Sequence, residues 1–455
     1  MKRILQKWKK RQTSPFGKVI IIKTLVISKI THLLLNLPDP DETFLKQLDK
    51  ELFGFLWGDK PSKIKKTTIC KEYSDGGIKM INIRDFLATL KISWLRKLGQ
   101  DINLKENAEN CIKGISRTLD FGVLYSKQLR NSIKNQFWKD VLSHYINLSK
   151  RFITETVTDF MHDHIFYNPQ IQRGNRHIFI KEWAENNIIY IHQLCKDDQT
   201  FYTYAEFRNK FLWSTTNFLT YQGIVDSIID YKRSINFKDQ DDAKQVNRLI
   251  SLISSGNKAV QKFLNTIDKS KPTAIYKWNQ VFDNIEWNKV YNKIYITTKD
   301  VQLRWFQYRL INRIIPTERY LYITKIKEDP ICSFCHEEEQ NICHLFFECD
   351  IVFNFWMKLE RLFKEKCIHC NNISLDKELV ILGYKKNFIS DTVFDFILLL
   401  AKFYIYKMKL DEKFPTLENF INYLKKRYIL EKYVASIENN ANFDHMWRLY
   451  KILIT

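Results

Sequence analysis

Apolar residues run at helical spacing from Val19 to Leu37, interrupted by Lys23 and Lys29 and stopped by Pro38 and Pro40. Leu45, Leu48, Leu52, Phe55 and Leu56 repeat the pattern, so a second helix is predicted over 41–57. A polar basic connector, Gly58 to Lys66, follows it, then the turn Ser74, Asp75, Gly76, Gly77 and a third apolar helix from Arg84 to Leu98. The stretch from 101 to 160 reads as amphipathic helix, with Lys127, Arg130 and Lys134 on what is most simply a solvated face. Residues 165–225 are rich in aromatics, including Trp183 and Trp213, and call for a packed core of their own. Asp230 to Lys244 is charged and poor in aromatics and reads as a flexible connection. A second aromatic block spans Tyr276 to Tyr322, before a cysteine cluster and apolar helices over 346–363 and 391–409. Lys425, Lys426 and Arg427 mark a basic amphipathic tail helix.

Composition strengthens the helical reading. Twelve glycines and nine prolines in 455 residues fall well below the usual combined share of roughly 12 %. The fold class predicted is mostly α, a helical multi-domain segment with a small CCHC zinc module near its C-terminus. Charge then points to partners. Lys plus Arg exceed Asp plus Glu by 72 − 51 = 21, a field that concentrates polyanions. The excess is uneven, since Met1 to Leu37 holds nine basic residues and no acidic one. Lysines cut short the apolar runs at 19–35 and 394–406, so neither a membrane partner nor a signal peptide is expected. Nine clustered cysteines in a basic chain favour metal over disulfides and an intracellular, reducing location, cytoplasmic or nuclear.

The chemistry sits in one block. Two residues separate Cys332 from Cys335, eight separate Cys335 from His344, and four separate His344 from Cys349. A tight turn aims the first thiol pair at one tetrahedral ion, and a following helix closes the set with the second pair. Four protein ligands leave no position for water, so the zinc is structural and not hydrolytic. His336 and Cys343 stand beside the four and compete as ligands, and a set of plain buried thiols is the alternative to any metal. Cys367 and Cys370 form a second pair without evident partners. The cluster Met161-His162-Asp163-His164 reads as polar surface, with a metal site as its alternative.

Other catalytic signatures are missing. The sequence holds no Gly-rich phosphate loop, no Gly-x-Ser-x-Gly elbow and no His-Glu-x-x-His. Polymerases hold two metal ions with paired aspartates. Tyr73-Ser74-Asp75-Gly76 lacks the second aspartate, and Asp241-Asp242 lies in the charged connector.

The order of these motifs resembles the C-terminal part of a LINE-type, non-LTR retrotransposon reverse transcriptase. Trp8, Arg11, Ser14 to Lys18, Ile22, Lys23, Ser28, Lys29 and Leu37-Pro38 resemble the thumb of that family. Phe55-Leu56-Trp57, Lys63-Ile64, Asp75-Gly76-Gly77-Ile78 and Lys91 to Leu95 continue the pattern, as do Asn168-Pro169, Ile178-Phe179, Trp183 and Ile188. Leu303, Phe306-Gln307-Tyr308, Arg313, Ile315-Pro316-Thr317, Tyr320, the CCHC residues with Leu345-Phe346, and Phe355-Trp356 look like the family's zinc-binding segment.

The resemblance implies five regions. They are a thumb-like basic helical region (1–100), an aromatic-rich helical linker domain (101–230), a charged flexible connection (231–272), the zinc-binding domain (273–363) and a C-terminal helical region (364–455). It implies binding of RNA or an RNA/DNA duplex, alone or beside a full-length retrotransposon protein. The expected contacts are Lys7, Lys9, Lys10, Arg11, Lys18, Lys23, Lys29, Lys60, Lys63, Lys65 and Lys66. With endonuclease, fingers and palm lacking, no enzymatic activity is expected. The competing readings are a protein-interaction scaffold, and part of an active RNA-directed DNA polymerase whose palm lies upstream of Met1.

Overall fold

A computed structural model describes residues 1–100, 133–149, 151, 154, 156–174, 176–237, 248–267, 270–366 and 373–453. The expected helix over 101–132, Lys127, Arg130, Asp241-Asp242, Cys367 and Cys370 lie outside the described residues. The chain folds as a mostly helical protein. Among the described residues the strands are one antiparallel pair, Gln172–Arg173 with Arg176–His177. Two compact units form. The first joins Met1–Val26, Glu51–Ile81 and Lys269–Thr455, and the second joins Ile27–Lys50 with Asn82–Asp268.

Local signals in the sequence explain most helix ends. Ser14 caps the helix Pro15–Ile21 by accepting from the Gly17 amide, with Pro15 at the first helical position. The chain then passes through a π-helical stretch, Ile22–Ile27, into Ser28–Asn36 and stops before Pro38. By length and composition the run Pro15–Asn36 suffices to cross a membrane despite its three lysines. Its Val19, Ile22, Val26, Ile30 and Leu34 are nevertheless buried within the protein. Asp41 caps the helix Glu42–Trp57 by accepting from the Phe44 amide.

The first unit is organised around the 74–77 turn. Gly76 adopts φ +80°, and a Cβ there would come within 2.8 Å of the Tyr291 ring. At Gly77 a Cβ would stand 2.0 Å from the Lys71 carbonyl oxygen, so neither position admits a side chain. The bare backbone is what the helices Trp287–Thr297 and Val301–Ile311 pack against. The buried Tyr308 hydroxyl donates to the Gly76 carbonyl at 2.9 Å, and Tyr73 stacks on Tyr295 at 3.9 Å. Trp278, fully buried, donates to the Ile311 carbonyl at 2.7 Å, and Arg313 covers its ring.

The second unit has two cores. One gathers Ile92, Leu95, Trp138, Val141 and Ile146 with Val260 and Leu264. The last two come from a helix, Asn257–Ile267, and with its neighbour Arg248–Ser254 it replaces much of the flexible connection expected over 231–272. Apolar residues at helical spacing, Leu252, Ile253, Val260, Phe263 and Leu264, outweigh the charged surroundings there. The second core surrounds Trp183, Phe207 and Tyr221. Asp163, expected at the surface, is instead packed beside this core and accepts from Tyr231 at 2.6 Å and Thr154 at 2.9 Å. Burial pushes Asp163 up to about 6 and the neighbouring His164 down to about 4.

Lys402 is wholly buried in the helix Thr392–Leu410, its ammonium donating to the Ile381 carbonyl at 3.3 Å. Burial pushes its pKa down to about 7 and the neighbouring Asp395 carboxylate, itself paired with Lys293, only partly offsets this. The folded value lies below the ordinary 10.5, so the unfolded chain binds more protons between pH 7 and 10.5. This group therefore makes stability rise with pH over that window. Lys402→Met is expected to stabilise the protein at pH 7 by on the order of 2–4 kcal/mol and to lose the advantage near pH 10. Urea unfolding of both proteins at the two pH values checks this, and an identical pH dependence in both contradicts it.

Candidate metal centre

The centre is built on a short hairpin-like loop and a π turn. Cys332 donates its amide to Glu338 O at 2.8 Å, and Ile331 forms an antiparallel bridge with Glu339, which folds 331–339 back on itself. Directly after Cys335, His336 takes φ +55°, a left-handed turn residue, and it lies outside the group of four converging ligands. The second pair of ligands flanks the π-helical segment His344–Glu348, where Cys349 N donates to His344 O at 3.0 Å. In an α-helix residues five apart point about 140° apart. The wider π turn brings His344 and Cys349 back to one side.

The ligand atoms of Cys332, Cys335, His344 and Cys349 all lie within 4.8 Å of one another. Cys335 Sγ and His344 Nε2 stand 3.3 Å apart, close to the roughly 3.5 Å edge of a tetrahedron around zinc. Cys332, His344 and Cys349 are buried and Cys335 is half-buried, so the set is closed to solvent on most sides. Cys343, the rival thiol, caps the π segment outside this group, and burial pushes its pKa up. Cys349 donates a hydrogen bond to Cys332, which with Gln340 and the amides of Cys335 and Phe334 holds the Cys332 thiol below its ordinary value. The same bond pushes Cys349 up. A divalent ion neutralises this crowded thiol set without a shared proton, so the donors fit zinc.

Two supporting residues escaped the sequence reading. Gln340 is fully buried and donates to Cys332 Sγ at 3.4 Å, while its Oε1 accepts the Glu318 amide at 3.2 Å. It thereby ties the first thiol to the helix Glu318–Ile323, which Thr317 caps. Glu338 Oε2 lies 3.0 Å from His344 Nδ1, out of line for a straight hydrogen bond but on the ring nitrogen that faces away from the thiols. Only the spacing Cys332-x7-Gln340 marked the first, and no sequence signal marked the second.

The expected nucleic-acid contacts divide. Lys7, Lys10 and Arg11 are exposed, with Arg11 over the Trp8 ring at 4.5 Å, and Lys9 is paired with Asp59 at 2.5 Å. Lys18 turns inward to the Leu56 carbonyl and the Phe55 ring, and burial lowers its pKa. Lys23 is exposed in the first unit, whereas Lys29 belongs to the second. Lys60, Lys63, Lys65 and Lys66 are all exposed. The chain brings Lys63 over the ring of Tyr320, at 5.2 Å, so this loop adjoins the helix that Gln340 ties to the metal centre.

A closed set of three thiols and one imidazole in a small helical module defines a structural zinc module. Residues 274–356 match the family described as zinc-binding in reverse transcriptase, so this is a reverse transcriptase-related chain with a zinc-binding domain. The match includes all four ligands and the capped helix at 318–323.

Purified protein is expected to carry about one zinc per chain. Cys332→Ser should lose it and loosen the helix Asp350–Lys366, while Cys343→Ser should keep it. Elemental analysis of the freshly reduced proteins decides. Zinc retained in Cys332→Ser, or lost in Cys343→Ser, moves the site to other ligands.

Proposed function

We propose that this chain is the nucleic-acid-binding C-terminal part of a LINE-type, non-LTR retrotransposon reverse transcriptase. It grips RNA or an RNA/DNA duplex by the phosphate backbone, inside the cell, alone or beside a full-length retrotransposon protein. The observation that carries this reading is the meeting of the basic loop 60–66 with the zinc module through Lys63 and Tyr320. Exposed lysines on a loop anchored to a metal-braced helix offer phosphate contacts at fixed positions, and such contacts carry no sequence preference. Lys325, exposed just beyond the same helix, extends the basic surface. We further propose that the chain is not itself catalytic. The reading rests on the lack of a Tyr-x-Asp-Asp turn in its sequence. The adjacent aspartates are Asp197-Asp198, exposed and preceded by Cys195-Lys196, and Asp241-Asp242. Neither pair follows a Tyr-x step that would mark the carboxylate anchor of two polymerase metal ions.

Binding to an RNA hairpin and to an RNA/DNA duplex should weaken with salt, with a log-log slope of roughly −2 to −4 for three or four neutralised phosphates. Changing Lys60, Lys63, Lys65 and Lys66 together to Gln should flatten that slope by about 0.7–0.9 for each phosphate no longer neutralised. Titrations followed by fluorescence anisotropy across salt test this. An unchanged slope in the variant removes the loop from the interface. Salt-insensitive or absent binding by the parent turns the reading to a protein-interaction scaffold. Primer extension on a primed RNA template with magnesium should stay at the level of buffer alone.

A further inference from the structure

The helix Leu417–Ile437 sends Phe420, Leu424 and Ala435 into the first unit's core. Its other side carries Ile429, Leu430, Tyr433, Val434 and Ile437, exposed by 64, 53, 65, 44 and 64 %. Steps of four join 429, 433 and 437, and another joins 430 to 434, so the five side chains form one continuous stripe. Scattered exposed apolar residues need no explanation. A contiguous stripe exposing on the order of a few hundred Å² marks an interaction surface.

Charge selects the occupant. Lys426 lies on the line of the stripe, one turn before Ile429 and Leu430. At the other end stand Glu438 and the last carbonyls of the helix, where the helix dipole is negative. The stripe is thus basic at its beginning and acidic at its end, which makes it complementary to itself when reversed.

We propose that this stripe docks antiparallel on the same stripe of a second copy of the chain, centred on Tyr433. In that register Ile429 faces the second copy's Ile437, and Lys426 reaches the C-terminal end of the opposing helix and its Glu438. A parallel pairing sets Lys426 against Lys426 instead. Glu438 already pairs with Lys299 at 2.5 Å, but both groups are exposed and such a pair contributes little, so it exchanges readily. One helix pair buries less than the roughly 800 Å² per partner of a standard interface, so the dimer is a weak one. This docking does not depend on nucleic-acid binding.

Sedimentation equilibrium of the full zinc-loaded chain across the micromolar range tests the proposal. A dimer fraction that rises with concentration is expected. Tyr433→Glu should abolish it with no change in thermal stability, because the residue is exposed. Lys426→Glu should weaken it, and Lys426→Glu combined with Glu438→Lys should restore it. A protein that stays monomeric throughout, or a dimer indifferent to Tyr433→Glu, overturns the docking. A double swap that fails to restore the dimer overturns the antiparallel register.

Discussion

One extra residue per turn between His344 and Cys349 decides whether the metal centre exists. An α-helical 344–348 segment would turn Cys349 away from His344, and the thiols of the 332–335 loop would face an incomplete set. The π turn supplies the convergence, and its backbone is held from both sides. Asn341 Oδ1 accepts the His344 amide at 3.0 Å, and Trp356 donates to the Phe346 carbonyl at 2.7 Å from within the following helix. Phe306 packs edge-on against Phe346, so the turn rests on the same helix that carries Tyr308 to the 74–77 turn. The metal, the π turn and the glycine turn are thereby parts of one packed unit.

That unit also sorts the positive charge of the chain. A surplus of 21 cations overstates what faces solvent, because several lysines are spent inside. Lys402 is buried against the Ile381 carbonyl. Lys409 is buried against Glu318 and the Pro316 carbonyl, at 3.1 and 2.9 Å, just upstream of the zinc loop. Lys18 turns to Leu56, and Lys91 in the other unit is enclosed by Leu37, Asp39 and Phe137. In the first unit exposed basic residues remain in the N-terminal helix and the 60–66 loop, and also along its C-terminal part, as at Lys277, Lys358, Lys364 and Lys413. The nucleic-acid reading therefore rests on a few placed lysines and not on net charge.

Much of this was legible in the sequence, for physical reasons that differ by element. The helices over 41–57 and 84–98 announced themselves by apolar spacing, and Pro38 fixed where the helical run before them stops. The four ligands were legible because a Cys-x2-Cys turn followed by His-x4-Cys is a short-range pattern. The π turn that makes them converge was not, since nothing local separates it from an ordinary helical start. Nor could spacing reveal that Tyr308 bonds Gly76 across 232 positions, or that Lys63 reaches Tyr320. The helices over 248–267 were obscured by the charged run before them, which dominated the composition of that region. His336 and Cys343, competitors by their nearness in the sequence, were separated by position, since both stand outside the group of converging ligand atoms.

The central claim is that zinc is held by Cys332, Cys335, His344 and Cys349 and by nothing else. X-ray absorption at the zinc edge of the purified chain tests it most directly. Three sulfur neighbours at roughly 2.3 Å and one nitrogen at roughly 2.0–2.1 Å are predicted. Four sulfurs, which would bring Cys343 in for His344, or two sulfurs with two lighter neighbours, would contradict it.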